Sequence, residues 1–153
     1  MQEVKDERKN ADGDPQVKSR IRKLQYQTAA NRMMQEVPNA DVVVTNPTHF
    51  SVALKYDQFG TRAPTLVAKG VDEMAMHIRT IANAHEVPIV ASPMLARAIY
   101  YSTEAEHEIP EKLFMAVAQV LAYVYQLKAF KQGKGKRPNP LKSNLPIPPE
   151  LRR

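Results

Sequence analysis

Residues 42–54, VVVTNPTHFSVAL, constrain the fold more than any other stretch. Two apolar runs rich in β-branched residues stand either side of four polar ones, Asn46, Pro47, Thr48 and His49. β-Branched runs favour strands, and Asn followed by Pro favours a change of direction. The stretch therefore predicts a hairpin: a buried-type strand at 41–45 and an alternating neighbour at 50–56.

The remaining elements follow in clear order. Residues 1–15 are polar and, with Asp12-Gly13-Asp14-Pro15 as a breaker, are expected to be mobile. From 17 to about 36 there is no Pro or Gly, and apolar residues at 17, 21, 24, 26, 30, 33 and 37 give a thin helical stripe. After a loop at 57–64, a third strand is read at 65–69, closed by Gly70. Residues 72–86 read as an amphipathic helix and 87–91 as a fourth strand. Ser92-Pro93 opens a helix in the order N-cap, then Pro at the first position. Pro110 opens the last, with Leu113, Val117, Val120, Val124 and Leu127 on one face and Ala118, Leu121 and Tyr125 widening it.

This alternation predicts an α/β fold: a small mixed sheet of about four strands, covered by helices. A polar N-terminus and helical arm (1–36) precede a single α/β domain at 37–131. The tail, 132–153, is Pro-rich and basic and reads as extended or disordered, unable to bury a core.

Charge sorts along the chain in the same way. The net charge is +6, divided as +2 over residues 1–36, −3 over 37–127 and +7 over 128–153. Lys18, Arg20, Arg22, Lys23 and Arg32 lie in a stretch, 17–34, without an acid. Such a stretch suits anionic headgroups or nucleic acid, or is simply a solvated helix face. The most apolar segment, 113–127, is shorter than the roughly 20 residues that a membrane span needs, and the chain as written reads as soluble.

Most familiar chemistry is absent from the pattern. There is no Cys, hence no disulfide, thiolate metal site or Cys nucleophile. His49, His77, His85 and His107 lack metal-ligand spacing. Ser51 shares a strand face with His49, but no GxSxG elbow accompanies it. Glu104, Glu106 and Glu108 read as a solvated loop, and His85 as a residue suited to a helix C-terminus.

Asn46-Pro47 is different. Asn usually ages by attack of the following backbone nitrogen on its side-chain amide, and Pro47 has no N–H with which to attack. The reverse attack stays open: the Asn46 side-chain nitrogen on its own carbonyl carbon, expelling the Pro47 nitrogen and cutting the chain. A turn held rigid by strands accelerates such an intramolecular step, and His49 is placed to move the proton. Cleavage within minutes to an hour needs a barrier of about 22 kcal/mol. On residue types alone the bland reading prevails, since nearly all Asn-Pro turns stay intact.

DVVVTNPTHFSVALKYD, 41–57, resembles the cytoplasmic domain of the FlhB/YscU family, the substrate-specificity switch proteins of type III protein export. APTLVAKG at 63–70, VPIVASPMLARAIYY at 87–101 and IPEKLFMAVAQVLAYVYQLK at 109–128 agree with it, so the resemblance covers about 17–150. VALKYD and NLPIPPEL are more similar to the flagellar branch than to the virulence-injectisome branch. The alternatives are an injectisome switch protein or, more remotely, a basic nucleic-acid-binding module.

The resemblance implies a catalytic set of Asn46, Pro47, Thr48 and His49, with self-cleavage between Asn46 and Pro47. It implies an apolar substrate-binding patch of Ala63, Pro64, Ala118 and Leu121, the last two of which also read as ordinary core. It implies no cofactor, no metal, no nucleic acid, and no enzyme activity on other molecules. Its partners would be the other flagellar export-gate membrane proteins, a hook-length control protein, and the rod, hook and filament substrates. The domain would sit at the cytoplasmic face of the bacterial inner membrane, below a membrane part lacking from this chain. Residues 17–34 would then lie near anionic lipid.

Overall fold

The computed structural model describes residues 14–57 and 62–152. It divides into two units, 1–32 and 33–153. The mobility expected of residues 1–15 falls largely outside the described residues, as does the middle of the 57–64 loop.

Helix α1, Pro15–Glu36, begins two residues earlier than its apolar stripe suggests. Asp14 explains the start: its Oδ1 accepts the Gln16 N–H at 2.8 Å and its carbonyl accepts the Lys18 N–H. That is an N-cap followed by Pro at the first helical position, so the Asp-Pro read as a breaker is a helix signal. The helix has no buried residue, and Ile21, Leu24 and Tyr26 of its apolar stripe are exposed.

The second unit is built on β1 (Val42–Asn46), β2 (Phe50–Lys55) and β3 (Thr65–Val71). Helix α2 (Asp72–Ala84), strand β4 (Ile89–Ala91), helix α3 (Pro93–Ser102), strand β5 (His107–Glu108) and helix α4 (Phe114–Lys131) follow. The sheet order is β4-β1-β2-β3-β5. β4 runs parallel to β1 and every other pairing is antiparallel, which makes the sheet mixed as expected. The fifth strand was not foreseen, because two residues pairing Thr65 and Leu66 leave no alternation to detect.

Side chains alternate across the pleat and divide the core in two. Val42, Val44, Val52, Leu54 and Leu66 face α3 and α4, whereas Val43, Ala53, Val67 and Ala68 face α2. Strand β1 is therefore buried on both faces, which is why it reads as an unbroken valine run. Gly70 lets α2 lie close: a Cβ there would come within 2.6 Å of the Met74 Cβ.

The start of the last helix differs from its expectation. Pro110 leads into a 3-10 turn, Glu111–Leu113, before α4 proper. Together these residues make a 21-residue apolar segment, long enough to cross a membrane by length and composition, against the shorter 113–127 stretch read from sequence. Its buried face (Ala116, Val117, Val120, Leu121 and Val124) packs into the sheet core, so here it serves as a core helix.

The tail departs furthest from its expectation. It has little regular structure, but Leu145 and Ile147 are only 4% and 3% exposed and belong to the main core. Lys112 holds Glu150 at 2.7 Å, and Arg152 Nε donates to the Ile147 carbonyl. A proline-rich segment cannot form its own core, yet extended chain can place alternate side chains in a groove that another core supplies.

Candidate functional site

The hairpin of β1 and β2 pairs Asn46 with Phe50, leaving Pro47, Thr48 and His49 as its loop. The His49 N–H donates to the Asn46 carbonyl oxygen at 2.9 Å, closing a four-residue turn. Pro at the second position and a φ of 73° at Thr48 in the third are the marks of a type II turn. That third position ordinarily takes Gly or Asn. A β-branched residue there is strained, at about 1–3 kcal/mol.

The turn is fixed from several sides. Upstream, the Thr45 carbonyl accepts the Ser92 N–H at 2.9 Å at the end of β4. Downstream, the Phe50 ring packs edge-on against Tyr100 and Tyr101, at 5.1 and 5.8 Å between centroids. Lys69 steadies this cluster, donating to the Tyr100 carbonyl at 3.0 Å with its Nζ 4.7 Å from the Tyr100 ring centre. From the junction of β3 and α2, the Asp72 N–H donates to the His49 carbonyl at 2.9 Å.

Within this frame Asn46 is half-buried, while Pro47, Thr48 and His49 are exposed. The His49 Nδ1 stands 3.8 Å from Asp72 Oδ1. The four residues expected to form a catalytic set thus make up one clamped turn. The Asn46 carbonyl, the group that an Asn46 side-chain attack would strike, already accepts a backbone hydrogen bond at the distance that stabilises a developing oxyanion.

The other candidates separate from it. Ser51 Oγ is buried and donates to the Ala75 carbonyl at 2.9 Å, so its hydroxyl is committed to structure. His85 closes the C-terminus of α2. Among the described residues no group of His, Asp and Glu is arranged to hold a metal ion. Ala63, Pro64, Ala118 and Leu121 do not make an exposed patch of four: Ala118 is exposed and Ala63 half-exposed, but Pro64 and Leu121 are buried. Leu121 lies on the core face of α4, and Ala118, three residues before it, lies beyond that face's edge.

Clefts in the second unit lie away from the turn. One of about 420 Å³ is lined by charged residues including Glu36, Lys55, Asp57 and Arg62. Another, of about 810 Å³, lies between the β4 region and the end of α4. Neither cleft includes a residue of the 46–49 turn. Sequence reading missed Asp72 and the left-handed Thr48; neither carries a local signal, since one is 23 positions from His49 and the other is a conformation rather than a residue type.

Residues 1–124 match the family described as the FlhB HrpN YscU SpaS Family. The chain is 50% identical over 150 residues to the flagellar biosynthetic protein FlhB of Salmonella typhimurium, covering 98% of this chain and 39% of that protein. It spans about two-fifths of the length of the curated relatives it matches first. The crystal structure of the cytoplasmic domain of FlhB from Shewanella putrefaciens superposes with a TM-score of 0.78 at 52% identity, over 81% of this chain and 95% of that one. The C-terminal domain of EscU bearing an Asn-to-Ala substitution gives a TM-score of 0.56 at 28% identity, over 59% and 90%.

Proposed function

Because the chain belongs to the FlhB HrpN YscU SpaS family, we propose that residues 37–131 are the self-cleaving switch domain of a flagellar type III export apparatus. The higher identity to flagellar relatives than to EscU supports the flagellar branch over the injectisome one. In this reading the domain works at the cytoplasmic face of the inner membrane. The linker helix enters from the membrane side, with its basic stretch near anionic lipid, and the tail, 132–153, straps the domain.

The reaction is a single turnover within the chain. The Asn46 Nδ2 attacks the Asn46 carbonyl carbon, a C–N bond forms, and the bond to the Pro47 nitrogen breaks. Nδ2 loses a proton and the Pro47 nitrogen gains one, leaving a C-terminal succinimide and a new N-terminal proline. The His49 imidazole carries the proton between them. Loss of the covalent link lets the apparatus exchange rod and hook substrates for filament subunits. Export-gate membrane proteins and a hook-length control protein are the partners in that exchange. No cofactor, metal, nucleic acid or second substrate enters the scheme, and the domain is not an enzyme towards other molecules.

The observation that carries the reading is the 2.9 Å hydrogen bond from the His49 N–H to the Asn46 carbonyl, within a turn strained at Thr48. The mass of the intact, denatured protein tests it. Two species, residues 1–46 and 47–153, are expected; a single full-length mass that persists over days would overturn the proposal.

A further inference from the structure

We propose that Asp72 is a positioning residue for His49 in this cleavage, an inference that rests on reading the turn as a self-cleavage site. Asp72 touches His49 twice. Its backbone N–H donates to the His49 carbonyl at 2.9 Å, and its carboxylate stands 3.8 Å from Nδ1. The second distance is an ion-pair approach rather than a hydrogen bond. In the proposed mechanism, rotation of the exposed side chains brings the two within hydrogen-bond reach while the backbone bond holds the residues together.

Asp72 adopts a φ of 49°, a left-handed conformation that L-residues other than Asn and Asp rarely take. Two residues in that uncommon region, Thr48 and Asp72, therefore bracket His49. First-turn charge at the start of α2 does not rest on Asp72 alone, because Glu73 supplies it as well. Both side chains are mostly exposed, at 66% and 75%, so the contact adds little stability.

What the contact supplies is orientation. A carboxylate facing Nδ1 keeps the proton on that nitrogen and leaves Nε2 with its lone pair for the Asn46 amide proton. As the imidazolium forms, the carboxylate stabilises it; as the proton passes to the Pro47 nitrogen, the neutral imidazole returns in its starting tautomer. No proton or electron is left over. The logic is that of a base oriented by a third group.

Cleavage of the full chain is timed by pulse labelling during synthesis, for wild type, Asp72→Asn, His49→Ala and the double variant. Asn suits a left-handed φ, so Asp72→Asn keeps the backbone and removes only the charge. About tenfold slowing is expected, with no further slowing when it is added to His49→Ala. A wild-type rate for Asp72→Asn, or equal slowing in the His49→Ala background, overturns the proposal. Asp72→Gly, which also tolerates the backbone, repeats the comparison should the Asn variant fold poorly.

Imidazole nitrogen NMR on uncut Asn46→Ala protein reads the contact directly. Nδ1–H is the expected neutral tautomer of His49, shifting toward Nε2–H in Asn46→Ala/Asp72→Asn; an unchanged tautomer counts against Asp72. An uncut wild-type chain would defeat the cleavage reading alone, and the tautomer measurement still decides whether Asp72 orients the ring.

Discussion

The His49 amide donates to the Asn46 carbonyl oxygen at 2.9 Å, so in the proposed cleavage one residue would contribute both a backbone donor to the attacked group and a side-chain base. These contributions respond differently to substitution. His49→Ala removes the imidazole and keeps the donor, and is expected to slow cleavage about 10- to 100-fold without stopping it. Asn46→Ala removes the nucleophile and should give one uncut band on a denaturing gel. Pro47→Ala is expected to slow the cut, because the turn loses its fixed φ and the leaving group its tertiary amide. Cutting of Asn46→Ala at an unchanged rate would exclude the succinimide route.

Thr48 holds a φ of 73° that a glycine would adopt without strain. In uncut Asn46→Ala protein, Thr48→Gly is expected to raise unfolding free energy by about 1 kcal/mol, read by urea titration. In the otherwise native chain the same change should slow cleavage severalfold, since about 1 kcal/mol of ground-state strain corresponds to roughly a fivefold rate. A more stable variant that cuts faster would show that strain does not drive the reaction.

Residues differ in how openly they declare their structural place. Val42 to Val44 reveal a doubly covered strand because each is fully buried in β1, and the Asn-Pro turn announces its position through residue chemistry alone. The mixed sheet followed from those signals together with the helix spacings. Three things were hidden for physical reasons. β5 is too short to show periodicity, and Asp72 reaches the turn only through the β2–β3 pairing that sets Phe50 opposite Val71. Leu145 and Ile147 sit among prolines that suggest solvation, and their burial depends on a groove made by distant residues.

The tail offers a direct measurement. Ile147 is 3% exposed within the main core, although its segment has no regular structure beyond a 3-10 turn at Pro149–Leu151. Ile147→Ala is expected to cost about 2 kcal/mol, at the low end for such a core truncation because a strap relaxes more easily than a helix. Urea titration should show this as a lower midpoint with little change in slope. An unaltered midpoint would mean that the tail does not contribute to the folded domain in solution.

Lys112 and Glu150 give the tail a dependence on pH. The hydrogen bond and charge of Glu150 hold the Lys112 pKa above its ordinary 10.5, while the hydrogen bond from Lys112 holds Glu150 below its ordinary 4.5. A lowered carboxyl stabilises the fold above its unfolded pKa and loses that contribution as pH falls through the folded value. A raised ammonium contributes below its unfolded pKa and loses this as pH rises through the folded value. The clasp is therefore complete between about pH 5 and 10 and weakens outside that window. Both groups are solvent-exposed, so salt also weakens it. Amide protection at 147 and 150–152, each exchange rate being taken relative to the intrinsic rate at the same pH, should be highest at neutral pH and lower at pH 3 or in high salt, with protection of the β1 amides unaffected; equal tail protection at every pH would remove the clasp.

Cutting between Asn46 and Pro47 would leave β1 as the C-terminal end of one piece and β2 as the N-terminal end of the other. β1 lies between β4 and β2, pairing with residues 89–91 on one side and 50–54 on the other. Val42, Val43 and Val44 are fully buried and divide between both core faces. Each buried Val contributes about 1.5–3 kcal/mol on transfer from water, and the strand's backbone bonds have no other partner within the sheet. Residues 1–46 and 47–153 should therefore co-elute from a sizing column at micromolar concentration and separate only in denaturant. The link that the cut removes is an entropic one: joined pieces refold at a rate independent of dilution, whereas severed pieces must meet again. Thermal stability of the cut protein is thus expected to fall on dilution, while that of Asn46→Ala stays constant. Pieces that part on the column under native conditions would mean that β1 is held by the chain rather than by the sheet.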